Sequence, residues 1–301
     1  MRHALKYDLL MLLTAAVWGF AFVAQRLGMD HVGPFIFNAL RFAMGSLVLI
    51  PFIFLTKSVF HTKHNVKAHI KVGFIAGLII FGGATLQQIG MVYTSAGNAG
   101  FLTGFAVILV PVFGIFLKHH TTFYVWVGAI MALIGLYFLS VSDQPTINPG
   151  DIMVFLSAVF WASHIIYIGN NASSMHPLSI ASIQFATVAV LSIFPALAFE
   201  TKTFDGIFDA TYPILYGGLM SAGVGYTLQV VAQRHAPVGH AAIILSLESV
   251  FAVLGGWLLL SEDVSARTLL GCGLALAGML VAQAEYFIKK SVKTQDSRYG
   301  E

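Results

Sequence analysis

The chain has 301 residues, 57% of them hydrophobic and 10% charged, with a formal net charge of +3 and a mean hydropathy of +0.83. A soluble domain carries roughly a quarter charged residues, so this composition excludes an ordinary water-facing fold and points to lipid as the solvent. The one cysteine, Cys272, lies inside an apolar run, which excludes an internal disulfide framework.

Taken from the amino terminus, Arg2 and Lys6 precede an apolar run in the manner of a signal peptide. The run continues to Leu27 and many similar runs follow, so it is read as a retained first spanning helix. Apolar windows bounded by polar or Gly/Pro turns fall near 8–27, 34–56, 70–92, 97–117, 122–140, 151–170, 178–199, 212–233, 239–260 and 266–287. Each approaches the ~20 residues that cross ~30 Å of hydrocarbon as a helix. Lipid offers exposed backbone groups no partner, and the alternating period of a barrel strand is absent, so these windows are predicted to be helices. The expected fold class is an all-α polytopic membrane protein of ten transmembrane helices.

Orientation follows from the placement of Lys and Arg. With the amino terminus inside, the inner loops hold Arg2, Lys6, Lys57, Lys63, Lys67, Lys71, Lys118, Arg234, Lys289, Lys290, Lys293 and Arg298, against Arg26, Lys202 and Arg267 outside. This positive-inside bias predicts both termini in the cytoplasm and an inner (plasma) membrane location. The 57–71 loop also carries His61, His64 and His69, but at no compact metal spacing, and no metal site or cofactor is expected.

The two halves repeat. Asp8, Trp18, Pro34 and Phe42 return as Asp151, Trp161, Pro177 and Phe185 on adding 143, and Gly128 and Gly135 return as Gly271 and Gly278. Thr85-Leu86-Gln87 returns as Thr227-Leu228-Gln229 on adding 142. An odd number of helices per unit turns the second copy upside down, the plan of many secondary transporters. The expected domains are a five-helix repeat over 1–141, a periplasmic linker at 142–150, an inverted five-helix repeat over 151–288 and a cytoplasmic tail at 289–301.

Polar residues inside the apolar windows are the candidate site. Trp18, Phe22 and Gln25 share one helix face by spacing, and Trp161 and His164 share another. Aromatic rings with a few polar tips suit a pocket for amphipathic molecules; the competing reading is aromatic packing between helices. Gln87 and Gln229 are repeat mates and are read as lumen-lining amides; Asn38 and Gln184 join them, and Asn98 and His240 open the fourth and ninth helices. Arg41 lies roughly 10 Å below the outer edge and Glu248 roughly 13–14 Å above the inner one, so their side chains are expected to come within reach of each other. The repeat gives Gln184 opposite Arg41 and Ala106 opposite Glu248, so each charge occurs in one half alone. They act either as a salt bridge locking two helices or as groups that recognise or couple a solute. The pairs Gly73/Gly77, Gly100/Gly104 and Gly128/Ala132 are read as close helix crossings.

The final hairpin carries Ser246-Leu247-Glu248-Ser249-Val250, Gly255-Gly256-Trp257, Ser261-Glu262 and the glycines Gly271 and Gly278. It resembles the closing segment of the EamA family of the drug/metabolite transporter superfamily, with Ser249 in place of the usual Pro and Ser261-Glu262 in place of Gly-Glu. Asn98 to Gly104 and Val110-Pro111 resemble the fourth helix of the same family. The resemblance implies ten helices in two inverted repeats and transport of small metabolites. No HExxH, Walker A, GxSxG or close intramembrane carboxylate pair is present, which argues against an enzyme or an ATP-driven pump. The expected function is secondary transport across the inner membrane by alternating access, as an exporter of amino acids or similar zwitterions, with no nucleic-acid partner and a proton gradient as a candidate driving force. Export of organic cations or drugs stands second and phosphorylated sugars third. A membrane-embedded enzyme acting on a lipid-linked substrate, or a membrane scaffold, are the readings from other classes.

Overall fold

Backbone that enters lipid must satisfy its own hydrogen bonds, and this chain does so with helices. The computed structural model describes residues 2–55, 66–94, 96–117, 122–140, 149–172, 175–201, 204–261 and 264–296, and none of these forms a strand. The first half holds α1 (Arg2–Gly28), α2 (Pro34–Leu55), α3 (Val66–Gly90), α4 (Ala96–Gly104), α5 (Ala106–Phe116) and α6 (Phe123–Ser140). The second holds α7 (Pro149–Asn171), α8 (Pro177–Phe199), α9 (Phe204–Asp209), α10 (Thr211–Leu215), a π-helical stretch (Tyr216–Tyr226), α11 (Thr227–Gln233), α12 (Val238–Leu245), α13 (Glu248–Leu260) and α14 (Ala266–Asp296).

Among the described residues, seven rods have the length and hydropathy to cross a membrane: Leu5–Gly28, Pro34–Leu55, Val66–Gly90, Pro149–Asn171, Pro177–Phe199, Thr211–Gln233 and Val238–Leu260. The apolar stretches Leu102–Phe116, Phe123–Gly135 and Ala266–Val281 fall in α4 and α5, in α6 and in α14. The fourth window divides at Phe105 into α4 and α5. The surface has the composition of a lipid-facing one: Phe54, Phe116, Phe199 and Leu259 are exposed, whereas Gln88, Asn38, Gln184 and Ser192 are fully enclosed.

The packing follows a twofold plan. The α2–α8 and α6–α14 contacts each join a helix to its own repeat mate, and α3 on α7 is matched by α1 on the π stretch and α11. Phe42 and Phe185, which are repeat mates, meet with ring centroids 5.9 Å apart, so the pseudo-twofold axis passes between them. The α6–α14 crossing obeys the same relation twice. A Cβ on Gly135 would lie 2.6 Å from the Gly271 carbonyl oxygen, and one on Gly278 would lie 2.5 Å from that of Gly128. Backbones this close admit hydrogen alone at those positions.

Hydrogen bonds tie the helices at other levels. The Ser46 hydroxyl donates to the Ser182 carbonyl at 2.9 Å and the Ser182 hydroxyl to that of Ser46 at 3.2 Å, pinning α2 to α8. At the start of α2, the Glu200 carboxylate accepts from the Phe35 and Ile36 N–H groups, both at 2.8 Å, and closes the otherwise unpaired helix end. At one rim, the His176 N–H donates to His69 Nε2 at 3.0 Å, so that nitrogen carries no proton. Burial, with His69 and Arg234 adding to it, holds the His176 imidazole below the usual histidine range.

The crossing glycines yield a test of opposite sign on one helix. Gly278→Ala is expected to lower the melting temperature, because overpacking against backbone costs ~1–3 kcal/mol. Gly273, on the same helix, has nothing within 4 Å of its added Cβ. Gly273→Ala is therefore expected to leave the melting temperature unchanged or raise it, by up to ~1 kcal/mol of helix propensity. Equal losses in the two variants would show that the crossing is not the constraint.

Candidate functional site

Two helix interruptions mark the site. The α4/α5 break at Phe105 and the α12/α13 break at Ser246-Leu247 occupy repeat-equivalent positions, since 247 − 142 = 105. Around Leu247 the backbone tightens into i→i+3 bonds, from the Leu247 N–H to the Ile244 carbonyl at 3.2 Å and from the Val250 N–H to the Leu247 carbonyl at 3.0 Å. Hydroxyls take up carbonyls at both breaks: Thr103 Oγ1 donates to Ala99 at 2.8 Å, and Ser249 Oγ crosses to the Gly100 carbonyl at 2.6 Å. The window 239–260, read from sequence as one uninterrupted helix, is thus two, and Glu248 opens the second.

A third irregularity faces them. The π stretch contains Gly217, Gly218, Gly223 and Gly225, residues with little helical preference of their own. Side chains of α1 capture its carbonyls: Trp18 Nε1 donates to that of Ser221 at 3.2 Å, and Thr14 Oγ1 to that of Gly225 at 3.4 Å. Helices α3 and α7 meet without such a widening.

These elements enclose a cavity of about 60 Å³, several times the ~10–15 Å³ that one water needs. Of the twelve residues proposed from sequence, Trp18, Phe22, Gln25, Arg41, Gln87, Trp161, His164, Gln229 and Glu248 line it. Two others stand one layer behind. Asn38 accepts from Arg41 Nε at 3.0 Å and donates to the Ala84 carbonyl at 3.2 Å, and Gln184 Oε1 meets His164 Nε2 at 3.2 Å. The side chain of Asn98 lies outside the described residues. His240, at the start of α12, meets Asp8 at 2.9 Å.

The amides form a relay in one half and not in the other. Trp161 Nε1 donates to Gln87 Oε1 at 2.9 Å, Gln87 Nε2 to Gln25 Oε1 at 3.0 Å, and Gln25 Nε2 to the Ala21 carbonyl at 3.2 Å. The repeat-related contact would join Trp18 to Gln229, but Trp18 is engaged at Ser221. Gln229 Oε1 and Gln184 Nε2 are buried without a hydrogen-bond partner among the described residues.

Arg41 and Glu248 both line the cavity, and no salt bridge joins them among the described residues. Arg41 is held on α2 by Asn38, with its guanidinium 4.7 Å from the Phe42 ring centroid and 5.4 Å from that of Phe37. An arginine and a glutamate side chain therefore line one cavity with no salt bridge between them.

The residue that sequence reading missed is Tyr226. Its ring packs against Trp18 at 4.6 Å, Phe185 at 5.6 Å, His164 at 6.0 Å and Phe42 and Trp161 at 6.2 Å. A signal for it existed: the repeat sets Tyr226 against Ala84, as it sets Glu248 against Ala106. Thr103, Ser221 and Ser246 also line the cavity and were not singled out, because small hydroxyls in apolar helices carry no distinctive spacing.

Comparison with known proteins agrees with this architecture. The EamA-like transporter family matches residues 5–141 and again 148–283. An uncharacterized transporter of Archaeoglobus fulgidus is 30% identical over 281 residues, covering 91% of this chain and 84% of that protein. The uncharacterized transporter YoaV of Bacillus subtilis is 23% identical over 272 residues, covering 88% and 92%. A solved crystal structure superposes with a TM-score of 0.76 at 19% identity, covering 93% of this chain and 96% of its own, a likeness of fold. With the family matched through both halves of a multi-pass helical chain, the protein belongs to the EamA-like transporter family.

Proposed function

We propose that this transporter exports amino acids or similar zwitterions across the inner membrane by alternating access, with the cavity as the solute site. One observation carries the reading: the guanidinium of Arg41 and the carboxyl group of Glu248 line one cavity and are not paired with each other. Charges left unanswered at membrane depth are costly, and a solute bearing both signs answers both. The rings of Trp18 and Trp161 pack on the apolar part of the solute, while Gln25, Gln87 and Gln229 supply amide contacts to its polar head. A proton gradient is the driving force in this reading.

In the same reading all ten apolar helices cross the membrane, as repeats over 1–141 and 151–288 joined by a periplasmic linker at 142–150, with a cytoplasmic tail at 289–301. The unequal contacts of Trp18 and Trp161 support alternating access. Two halves of like sequence hold unlike conformations here, and exchange of those conformations turns an inverted-repeat carrier over. The unpaired Glu248 among aromatic rings also favours a second reading, export of organic cations, in which Glu248 and not Arg41 is required.

Three outcomes are expected. Reporter fusions after Lys63 and after Lys293 read cytoplasmic, and one in the 142–150 linker reads periplasmic; a cytoplasmic linker would refute the inverted topology. Trp18→Ala and Trp161→Ala reduce flux in proteoliposomes more than they reduce the amount of folded protein. Variants that are lost from the membrane while the surviving protein transports normally would assign both rings to packing, where truncation costs ~3–5 kcal/mol. Glu248→Gln melts close to the parent and loses transport, whereas Arg41→Gln loses both stability and transport through Asn38. Because the two groups do not touch, their stability losses add to within ~0.5 kcal/mol in the double variant. Strong rescue of stability in the double variant would show a salt bridge instead.

A further inference from the structure

The repeat relates Trp18 to Trp161 and Phe42 to Phe185, so four rings stand as two symmetry-related pairs about the pseudo-twofold axis. The Tyr226 ring packs against all four. Its repeat-related position, 226 − 142 = 84, is Ala84, also fully enclosed and ending at one methyl. A symmetric aromatic frame is therefore filled once, from the second half alone.

Tyr226 is 7% exposed and lines the cavity. Its indole neighbour is fixed, because Trp18 lies over Gly225, where a Cβ would come within 2.5 Å of Nε1. The ring cannot be displaced toward α1 without moving that helix.

We propose that Tyr226 is the size-limiting residue of the solute site. Its ring occupies the centre of the aromatic frame and narrows the cavity that it lines, while its hydroxyl offers one hydrogen bond to the solute's polar head. The proposal rests on the reading of this cavity as the solute site. It deepens that reading by naming the class: small zwitterions with short side chains, with bulky ones excluded by the ring.

Thiol labelling tests the size limit without any transported solute. In a Cys272→Ser background, Ser246→Cys places one thiol on the cavity wall, to be probed with membrane-permeant methyl and benzyl methanethiosulfonates in proteoliposomes. With Tyr226 present, the methyl reagent is expected to react and the benzyl reagent to lag by about tenfold or more, the scale on which a tight apolar pocket rejects excess bulk. Tyr226→Phe leaves the ratio unchanged, Tyr226→Leu narrows it and Tyr226→Ala nearly abolishes it. An unchanged ratio in folded Leu and Ala variants overturns the proposal. Failure of both to fold beside a well-folded Phe variant overturns it too, by making the ring a packing element. No labelling by either reagent in any variant also overturns it. Flux of a series of zwitterionic amino acids graded by side-chain size then reads the transport assignment separately: a changed labelling ratio with no flux of any of them would refute the zwitterion reading and leave Tyr226 as the limit of the cavity.

Discussion

A polar side chain carried into lipid must be answered by another polar group, and the interior of this bundle is organised by how far that requirement is met. It is met through the relay from Trp161 of the second half to Gln87 and Gln25 of the first, each step at 2.9–3.0 Å. On the other side Gln229 and Gln184 each leave one amide atom without a partner among the described residues, and Arg41 and Glu248 line the cavity unpaired with each other. Burying an unanswered amide atom costs ~1–3 kcal/mol.

The scaffold that holds this arrangement is nearly symmetric. Helices α6 and α14 cross through Gly135 and Gly278, each against the partner's backbone carbonyl, and Phe42 meets Phe185 on the pseudo-twofold axis. The α4/α5 and α12/α13 breaks fall at matched positions and bring Thr103 and Ser246 to the same cavity. Interrupted helices are tolerated at membrane depth where they are buried in protein or line a cavity, since freed backbone groups find side chains there. Thr103, Ser246 and Ser249 serve that purpose here, each donating to a carbonyl at 2.6–2.8 Å.

Upon this symmetry the chain places unmatched residues. Arg41 faces Gln184 in the repeat, Glu248 faces Ala106 and Tyr226 faces Ala84. The scaffold supplies two halves of like sequence, and the unmatched side chains make the cavity they share asymmetric. The glycine-rich π stretch belongs to the second half alone, and its carbonyls are taken by Trp18 and Thr14 of α1.

Much of this was legible in the sequence. Helical rods follow from apolar windows, and the internal repeat follows from matching Trp18 with Trp161 and Gln87 with Gln229, because symmetric packing demands the same residue at both places. Nine of the twenty residues that line the cavity could be read, most of them because polar residues are rare in such windows and lipid gives them nowhere else to point. What one-dimensional spacing lacks is the direction of each side chain about the axis of its helix. Depth alone brought Arg41 and Glu248 together, whereas the tertiary structure gives Arg41 to Asn38 and to the faces of Phe42 and Phe37. Tyr226 stayed unread because an aromatic residue in an apolar helix is ordinary until four other rings close around it. The breaks at Phe105 and Leu247 and the π stretch were also decided in three dimensions: they depend on which carbonyls neighbouring helices can reach, and local sequence holds no record of those neighbours.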